Sequence, residues 1–385
     1  MGAIPSKPPA PTSRQRLVQA SRKRRGELTD EMTDTRLPII LVTGFLGSGK
    51  TTVLNHLLRA PQMRSSAVIV NEFGSVGLDH ELVSAVSENI VLLDGGCLCC
   101  SIRGDLVETL YDLLERRLSG DIAPFDRVVV ETTGLADPTP IFHTLMTDQM
   151  LAGQFRLQGI VSTIDAAVGL ATLDRQPESV KQVALADCVL LTKTDLASLQ
   201  DITALEERIA SLNPAAPIVH VRNGDLEPDV FLDLASFDTV EKDNLVQTWL
   251  NADAYGSVHS DAAAINSACL ILDRPIPLAI LDLWLDALIS QQGPDLLRMK
   301  GVINVEGKSG PVLIHGVQHI FHPPRDLDEW PSDDHRSRIV LIARNLGKKR
   351  LESSLAFLRS TAVSGGTGPL HQASERRRSL PGLGG

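Results

Sequence analysis

Three thiols fall within four positions of DGGCLCCS, Asp94 to Ser101: Cys97, Cys99 and Cys100. Thiolates bind soft or borderline divalent metals, and Zn²⁺ takes tetrahedral sets of sulfur and nitrogen. C-x-C-C is too cramped for a zinc finger, which uses two separated pairs. Three thiolates on one loop can still hold a metal and leave a coordination position open to exchange. A redox pair and a buried apolar turn are the competing readings, although adjacent Cys99 and Cys100 would form only a strained disulfide. Cys188 and Cys269 lie in apolar strand-like runs and read as core.

A second constellation points at phosphate. LPIILV, Leu37 to Val42, runs directly into TGFLGSGKTT, where Gly44, Gly49, Lys50 and Thr51 satisfy G-x-x-x-x-G-K-[ST]. Glycines at this spacing let backbone N–H groups and a helix N-terminus face an anion. Lys50 would supply charge to the β and γ phosphates, and Thr51 a hydroxyl to Mg²⁺. Glu131 closes the apolar run RVVVE, where a P-loop protein carries the acid that helps hold Mg²⁺. Asp is commoner there, so Glu implies a different reach or an intervening water. Gly134 would let a switch loop bring its N–H close to a γ-phosphate. TKTD, Thr192 to Asp195, resembles the [NT]KxD element of GTPases. Asp195 would accept from the two guanine N–H groups that adenine lacks, with the Lys193 stem against the base.

The elements that must position these residues alternate. Apolar runs end at NEFG (Asn71 to Gly74), at the cysteine loop, at Glu131, at Asp165 and at TKTD; APIVHV, Ala216 to Val221, closes the series. A helix is expected over Gly104 to Leu118. Strand–helix alternation implies an α/β fold, a P-loop NTPase with a mostly parallel sheet and helices on both faces. Functional loops then collect at the carboxyl ends of the strands, where all these residues fall.

The bulk numbers exclude other classes. With 385 residues, 43% hydrophobic, the chain can bury a sizeable core. A formal net charge of −10 argues against a general nucleic-acid binder. No apolar run is long enough to span a bilayer. Five cysteines, unevenly spread, do not form a secreted disulfide framework, which favours a reducing cytoplasm. Residues 1–36, with RKRR and a formal myristoylation pattern at Gly2 to Ser6, and residues 361–385 read as disordered tails.

Taken together, GFLGSGKTT, NEFGSVGLD, GGCLCCS, ETTGLADP and TKTD resemble the CobW-like GTPases, a family of P-loop metallochaperones and metal-cofactor maturation proteins. RMKG (Arg298 to Gly301) and HGVQHIF (His315 to Phe321) extend the resemblance towards residue 360. It implies a GTPase domain over 37–245, a linker over 246–260 and a smaller α+β C-terminal domain over 261–360. It implies GTP hydrolysis with Mg²⁺, nucleotide contacts on Gly47, Ser48, Gly49, Lys50, Thr51 and Thr52, and guanine recognition on Lys193 and Asp195. It places Zn²⁺ or another divalent transition metal on Cys97, Cys99 and Cys100, and puts Glu72 in a switch-like loop that would sense metal or Mg²⁺. The implied partner is a client metalloprotein or cofactor-maturation protein, or a second copy in a homo-oligomer. The His-rich segment of many members is missing, which argues against metal storage. No water-positioning Gln or arginine finger stands out, so slow basal hydrolysis is expected. The rival readings are a P-loop small-molecule kinase and a thiol-based redox or metal sensor.

In the C-terminal part, the pattern reads β-α-β-β-β-α, an antiparallel sheet covered by helices. PVLIHGVQHIFH is expected to be one strand, with His315 and His319 on one face about two pleats apart, too far to chelate one ion. His315, His319 and His322 therefore read as ordinary strand and turn residues.

Overall fold

The computed structural model describes residues 35–71, 90–93, 101–232, 234, 250, 265–322, 324–330, 332–345 and 357–358. Glu72, Cys97, Cys99, Cys100 and both chain ends lie outside the described residues. The chain divides into two compact units, 1–259 and 260–385.

In the first unit, β-branched and aliphatic runs form the strands β1 (Leu37–Gly44), β2 (Ser66–Asn71), β3 (Ile90–Leu93), β4 (Arg127–Glu131), β5 (Phe155–Asp165), β6 (Cys188–Thr192) and β7 (Ile218–His220). They make one sheet in the order β3-β2-β4-β1-β5-β6-β7. Every strand pair in it is parallel. The crossovers carry helices α1 (Lys50–Leu57), α2 (Ser101–Ser119), α3 (Thr139–Thr147), α4 (Gln149–Gln154), α5 (Gly169–Arg175), α6 (Pro177–Leu185) and α7 (Leu199–Leu212), and α8 (Asp229–Leu232) follows β7. Ile40, Val42, Val68, Val129 and Leu190 pack on Val53, Leu54 and Leu57 of α1 and on Phe231 of α8. Ile39 and Leu41, which alternate to the opposite face, are equally buried. Both faces are covered, the condition under which a parallel sheet is stable. Two elements run longer than the sequence pattern suggests: α2 starts at Ser101, and β5 starts at Phe155.

The second unit contains β8 (Ile265–Leu272), α9 (Leu278–Gln292), β9 (Leu296–Ile303), β10 (Val312–Val317), β11 (Ile320–Phe321), β12 (Arg325–Asp326) and β13 (Ser337–Arg344). Its antiparallel sheet runs β11-β10-β9-β13-β8, with β12 paired to β10. Leu281, Trp284 and Leu288 of α9 occupy one helical stripe. They close the core over Ala268, Leu270, Met299 and Leu341.

PVLIHGVQHIFH is not a single strand but a hairpin: Gln318 adopts φ 55°, and β11 folds back on β10. The His322 N–H donates to the His315 carbonyl at 2.9 Å, and the two rings stack with centroids 5.0 Å apart. The two turn residues, Gln318 and His319, are neither Gly, Asn nor Asp, so the sequence carries no hairpin signature at the reversal. Burial, and then the nearby His322, Arg298 and Lys300, hold His315 well below the usual histidine range, so its ring is neutral. Among the described residues, no group of three His, Cys, Asp or Glu side chains is placed to hold a metal ion.

Candidate nucleotide site

β1 is central in the parallel sheet, and the phosphate cradle grows from its carboxyl end. Gly44 (φ 139°), Gly47 (φ 72°) and Gly49 (φ 92°) all adopt backbone conformations that favour glycine. At Gly44 the demand is also steric, since a Cβ there would lie 2.3 Å from Thr163 Oγ1 and 2.4 Å from the Thr163 carbonyl. Gly49 is the N-cap of α1, so the loop delivers its backbone directly into a helix N-terminus. Lys50 is buried and donates to the carbonyls of Gly44 at 3.0 Å and Phe45 at 3.2 Å.

Thr51 Oγ1 donates to Glu131 Oε1 at 2.8 Å. Glu131 is buried and sits in register with Val42 of β1, which brings the end of β4 under the start of α1. Its side chain thus reaches the Thr51 hydroxyl directly. A hydroxyl and a carboxylate in contact at the mouth of a phosphate cradle are hard oxygen donors of the kind that fits Mg²⁺.

The TKTD loop, Thr192 to Asp195, is tied to the cradle at two adjacent positions. Thr192 Oγ1 donates to the Ser48 carbonyl at 2.7 Å. Lys193, at φ 55°, donates from Nζ to the Gly47 carbonyl at 2.8 Å and pairs with Asp165 Oδ2 at 2.6 Å. The Lys193 ammonium therefore braces the cradle, while Asp195 stands exposed two residues on. The Ser48 hydroxyl shares a 2.6 Å hydrogen bond with Thr163 Oγ1 on β5. The structure thus brings Gly44, Gly47, Ser48, Gly49, Lys50, Thr51, Glu131 and Lys193 into one set of contacts. Gly134 joins it from the loop after β4, where a Cβ would lie 2.5 Å from the Leu46 N. Cys97, Cys99, Cys100 and Glu72 lie outside the described residues. β3 ends at Leu93 and α2 begins at Ser101 on either side of the cysteine motif.

The chain matches the description "CobW/HypB/UreG, nucleotide-binding domain" over residues 38–220 and "Cobalamin synthesis protein cobW C-terminal domain" over residues 265–358. It is 33% identical over 323 residues to the zinc chaperone YjiA of Escherichia coli, an alignment covering 84% of this chain and 99% of that protein. The chain belongs to the CobW family. It is also 28% identical to the zinc-regulated GTPase metalloprotein activator 1 of Schizosaccharomyces pombe, covering 80% of this chain and 83% of that one. The crystal structure of Zn(II)-bound YjiA GTPase from E. coli superposes with a TM-score of 0.64 at 26% identity, over 85% of this chain and 100% of that chain.

Within this CobW-family nucleotide domain, three braces escape motif reading: Asp165 on Lys193, Thr163 on Ser48, and Gln182, whose Nε2 donates to the Gly134 and Ala136 carbonyls. Asp165 ends β5 as Glu131 ends β4, so its place at a strand's carboxyl end was the available signal. Thr163 and Gln182 gave none, because a Thr in a strand and a Gln in a helix are ordinary in sequence. Cys188 is buried, and burial followed by the nearby Asp187 pushes its thiol up to about 12. That leaves it an inert core residue.

Proposed function

We propose that the chain is a GTP-hydrolysing metallochaperone that binds a divalent transition metal, Zn²⁺ first, at Cys97, Cys99 and Cys100 and delivers it under control of the GTP cycle. The observation that carries the reading is the joining of TKTD to the cradle through Thr192 and Lys193. It sets the base-reading loop at a fixed distance from the phosphate loop, as a nucleotide requires. The names of the relatives, zinc chaperone and zinc-regulated GTPase metalloprotein activator, support the cargo and the class of client.

The reaction adds water to GTP. The water oxygen bonds to the γ-phosphorus as the bond to the β–γ bridging oxygen breaks, giving GDP and phosphate. Gly47, Ser48, Gly49 and Thr52 wrap the phosphates with N–H groups, and Lys50 neutralises the β and γ oxygens. Thr51 and Glu131 would hold Mg²⁺, which when bound neutralises the charge developing on the leaving oxygen. Gly134 reads the third phosphate, and Asp195 selects guanine.

The end of β3 stands three strands from β1, roughly 14 Å at about 4.8 Å per strand. A signal from the γ-phosphate would therefore reach the thiols through the segments after β4 and β2, the second of which carries Glu72. GTP would set the thiolates for the metal, and hydrolysis would release it to a client metalloprotein or a cofactor-maturation protein. A reducing cytoplasm suits free thiolates.

The test is titration of Zn²⁺ into the reduced protein loaded with a GTP analogue or with GDP, repeated with Cys99→Ala. Coupling between the sites is reciprocal, so the two nucleotide forms should differ in metal affinity, and Cys99→Ala should weaken both. Equal dissociation constants in the two forms would overturn the transfer cycle.

A further inference from the structure

The loop 132–138, which follows Glu131 and carries Gly134, is held by a helix outside every nucleotide motif. Gln182 of α6 is buried, and its Nε2 donates to the carbonyls of Gly134 at 3.2 Å and Ala136 at 3.1 Å. Its neighbour Lys181 pairs with Asp137. Asp137 Oδ1 in turn accepts from the Thr139 N–H at 2.9 Å and the Thr139 hydroxyl at 2.6 Å, fixing the start of α3. On its other side the loop presses on Leu46, where Gly134 leaves no room for a Cβ.

The post that holds the loop is itself anchored. Asn213, buried at the end of α7, donates from Nδ2 to the carbonyls of Val183 and Ala186 at 2.9 Å each. That caps the carboxyl end of α6. Burying a primary amide is costly unless its donors are used, and an apolar side chain would pack α6 at lower cost. Gln182 uses both N–H donors on the same loop. Fixing the Gly134 carbonyl fixes ψ at the residue type with the least intrinsic preference.

We propose that Gln182 and Lys181 are positioning residues for the third phosphate, holding the Gly134 loop against the cradle so that the site distinguishes GTP from GDP. The crossover helix between β5 and β6 then sets nucleotide preference, and the same helix leads into the strand that ends at TKTD. This rests on the GTPase reading above.

Gln182→Met removes both donors at nearly constant volume, and Gln182→Glu sets an acceptor against two carbonyls. Affinities for a non-hydrolysable GTP analogue and for GDP are measured by titration, alongside GTP turnover. GDP, lacking the third phosphate, is the internal reference. The expected result is GTP-analogue affinity weakened on the order of 10-fold, GDP affinity within about twofold of wild type, and slower turnover, as the loss of two hydrogen bonds implies. Lys181→Met should shift the preference in the same direction and Lys181→Arg should restore it. Should Gln182→Met fail to fold, the Lys181 pair of variants carries the same comparison. Equal loss of both nucleotides, or no loss of either, overturns the proposal. Failure of the wild-type protein to bind GTP at all would bring down the GTPase reading and this inference with it.

Discussion

Thr51 Oγ1 and Glu131 Oε1 lie 2.8 Å apart, joining the first turn of α1 to the end of β4 across 80 positions of sequence. The contact exists because β1 and β4 are parallel neighbours in register, with Val42 opposite Glu131. It puts a hydroxyl and a carboxylate together where a phosphate-bound cation needs oxygen donors. Glu131→Gln keeps the shape and removes the charge. It should lower GTP turnover on the order of 100-fold, the scale of losing one preorganised electrostatic group. Thr51→Ala should do the same and should raise the Mg²⁺ concentration needed for half-maximal turnover. Turnover measured against Mg²⁺ concentration checks both.

Asp195 is predicted to choose the base. Asp195→Asn replaces an acceptor with an amide that offers a donor, mismatching the guanine amine and matching a base with a carbonyl in that position. GTP affinity should fall on the order of 100-fold, and xanthosine triphosphate should become the preferred ligand. Competition between the two nucleotides for a fluorescent analogue decides it. Lys193, by contrast, holds the cradle through Gly47, so Lys193→Met should weaken both bases alike.

The cysteines should divide into two chemical classes. Cys188, with its thiol pushed up to about 12 and its side chain buried, should resist alkylation of the native protein at pH 8 and react only on unfolding. Cys97, Cys99 and Cys100 should react in the native reduced protein and be protected together by Zn²⁺. Mass spectrometry of alkylated peptides with and without metal tests both halves.

Asp137 gives the loop 132–138 a pH dependence of defined sign. Burial alone would raise its carboxyl, but hydrogen bonds from Lys181 and Thr139 outweigh that and hold it below its ordinary value. Its folded value is depressed, so its contribution to stability is fully present above the unfolded value. That contribution is lost as pH falls through the folded one. The difference in urea midpoint between wild type and Asp137→Asn should therefore be constant above about pH 5 and close progressively below it. A gap that widens on acidification would mean that the carboxylate is destabilised by its surroundings.

Much of the nucleotide half is legible in the chain itself. Leu37 to Val42 is apolar throughout because β1 is covered on both faces, and Gly44, Gly47 and Gly49 after it are called for by positive φ, with the close approach of Thr163 added at Gly44. Lys193 shows where legibility stops. TKTD is recognisable as a motif in the chain, but the partners of the ammonium, Gly47 and Asp165, lie 146 and 28 positions away. The His315 hairpin shows the same limit in the second unit, since Gln318 and His319 carry no turn signature although the chain reverses there.

The sequence alone determined the strand–cradle–helix unit, the strand-end positions of Glu131 and TKTD, and membership of the CobW family. These are local signals: residue type, short spacing and periodic burial, each set within a few turns of chain. The tertiary structure decided which braces connect the parts: Thr51 to Glu131, Lys193 to Asp165, and Gln182 to the Gly134 carbonyl. Those contacts follow from strand order, with β4 and β5 flanking β1 and β6 beyond β5. Strand order is a product of packing between distant segments, which alternation of strands and helices leaves open.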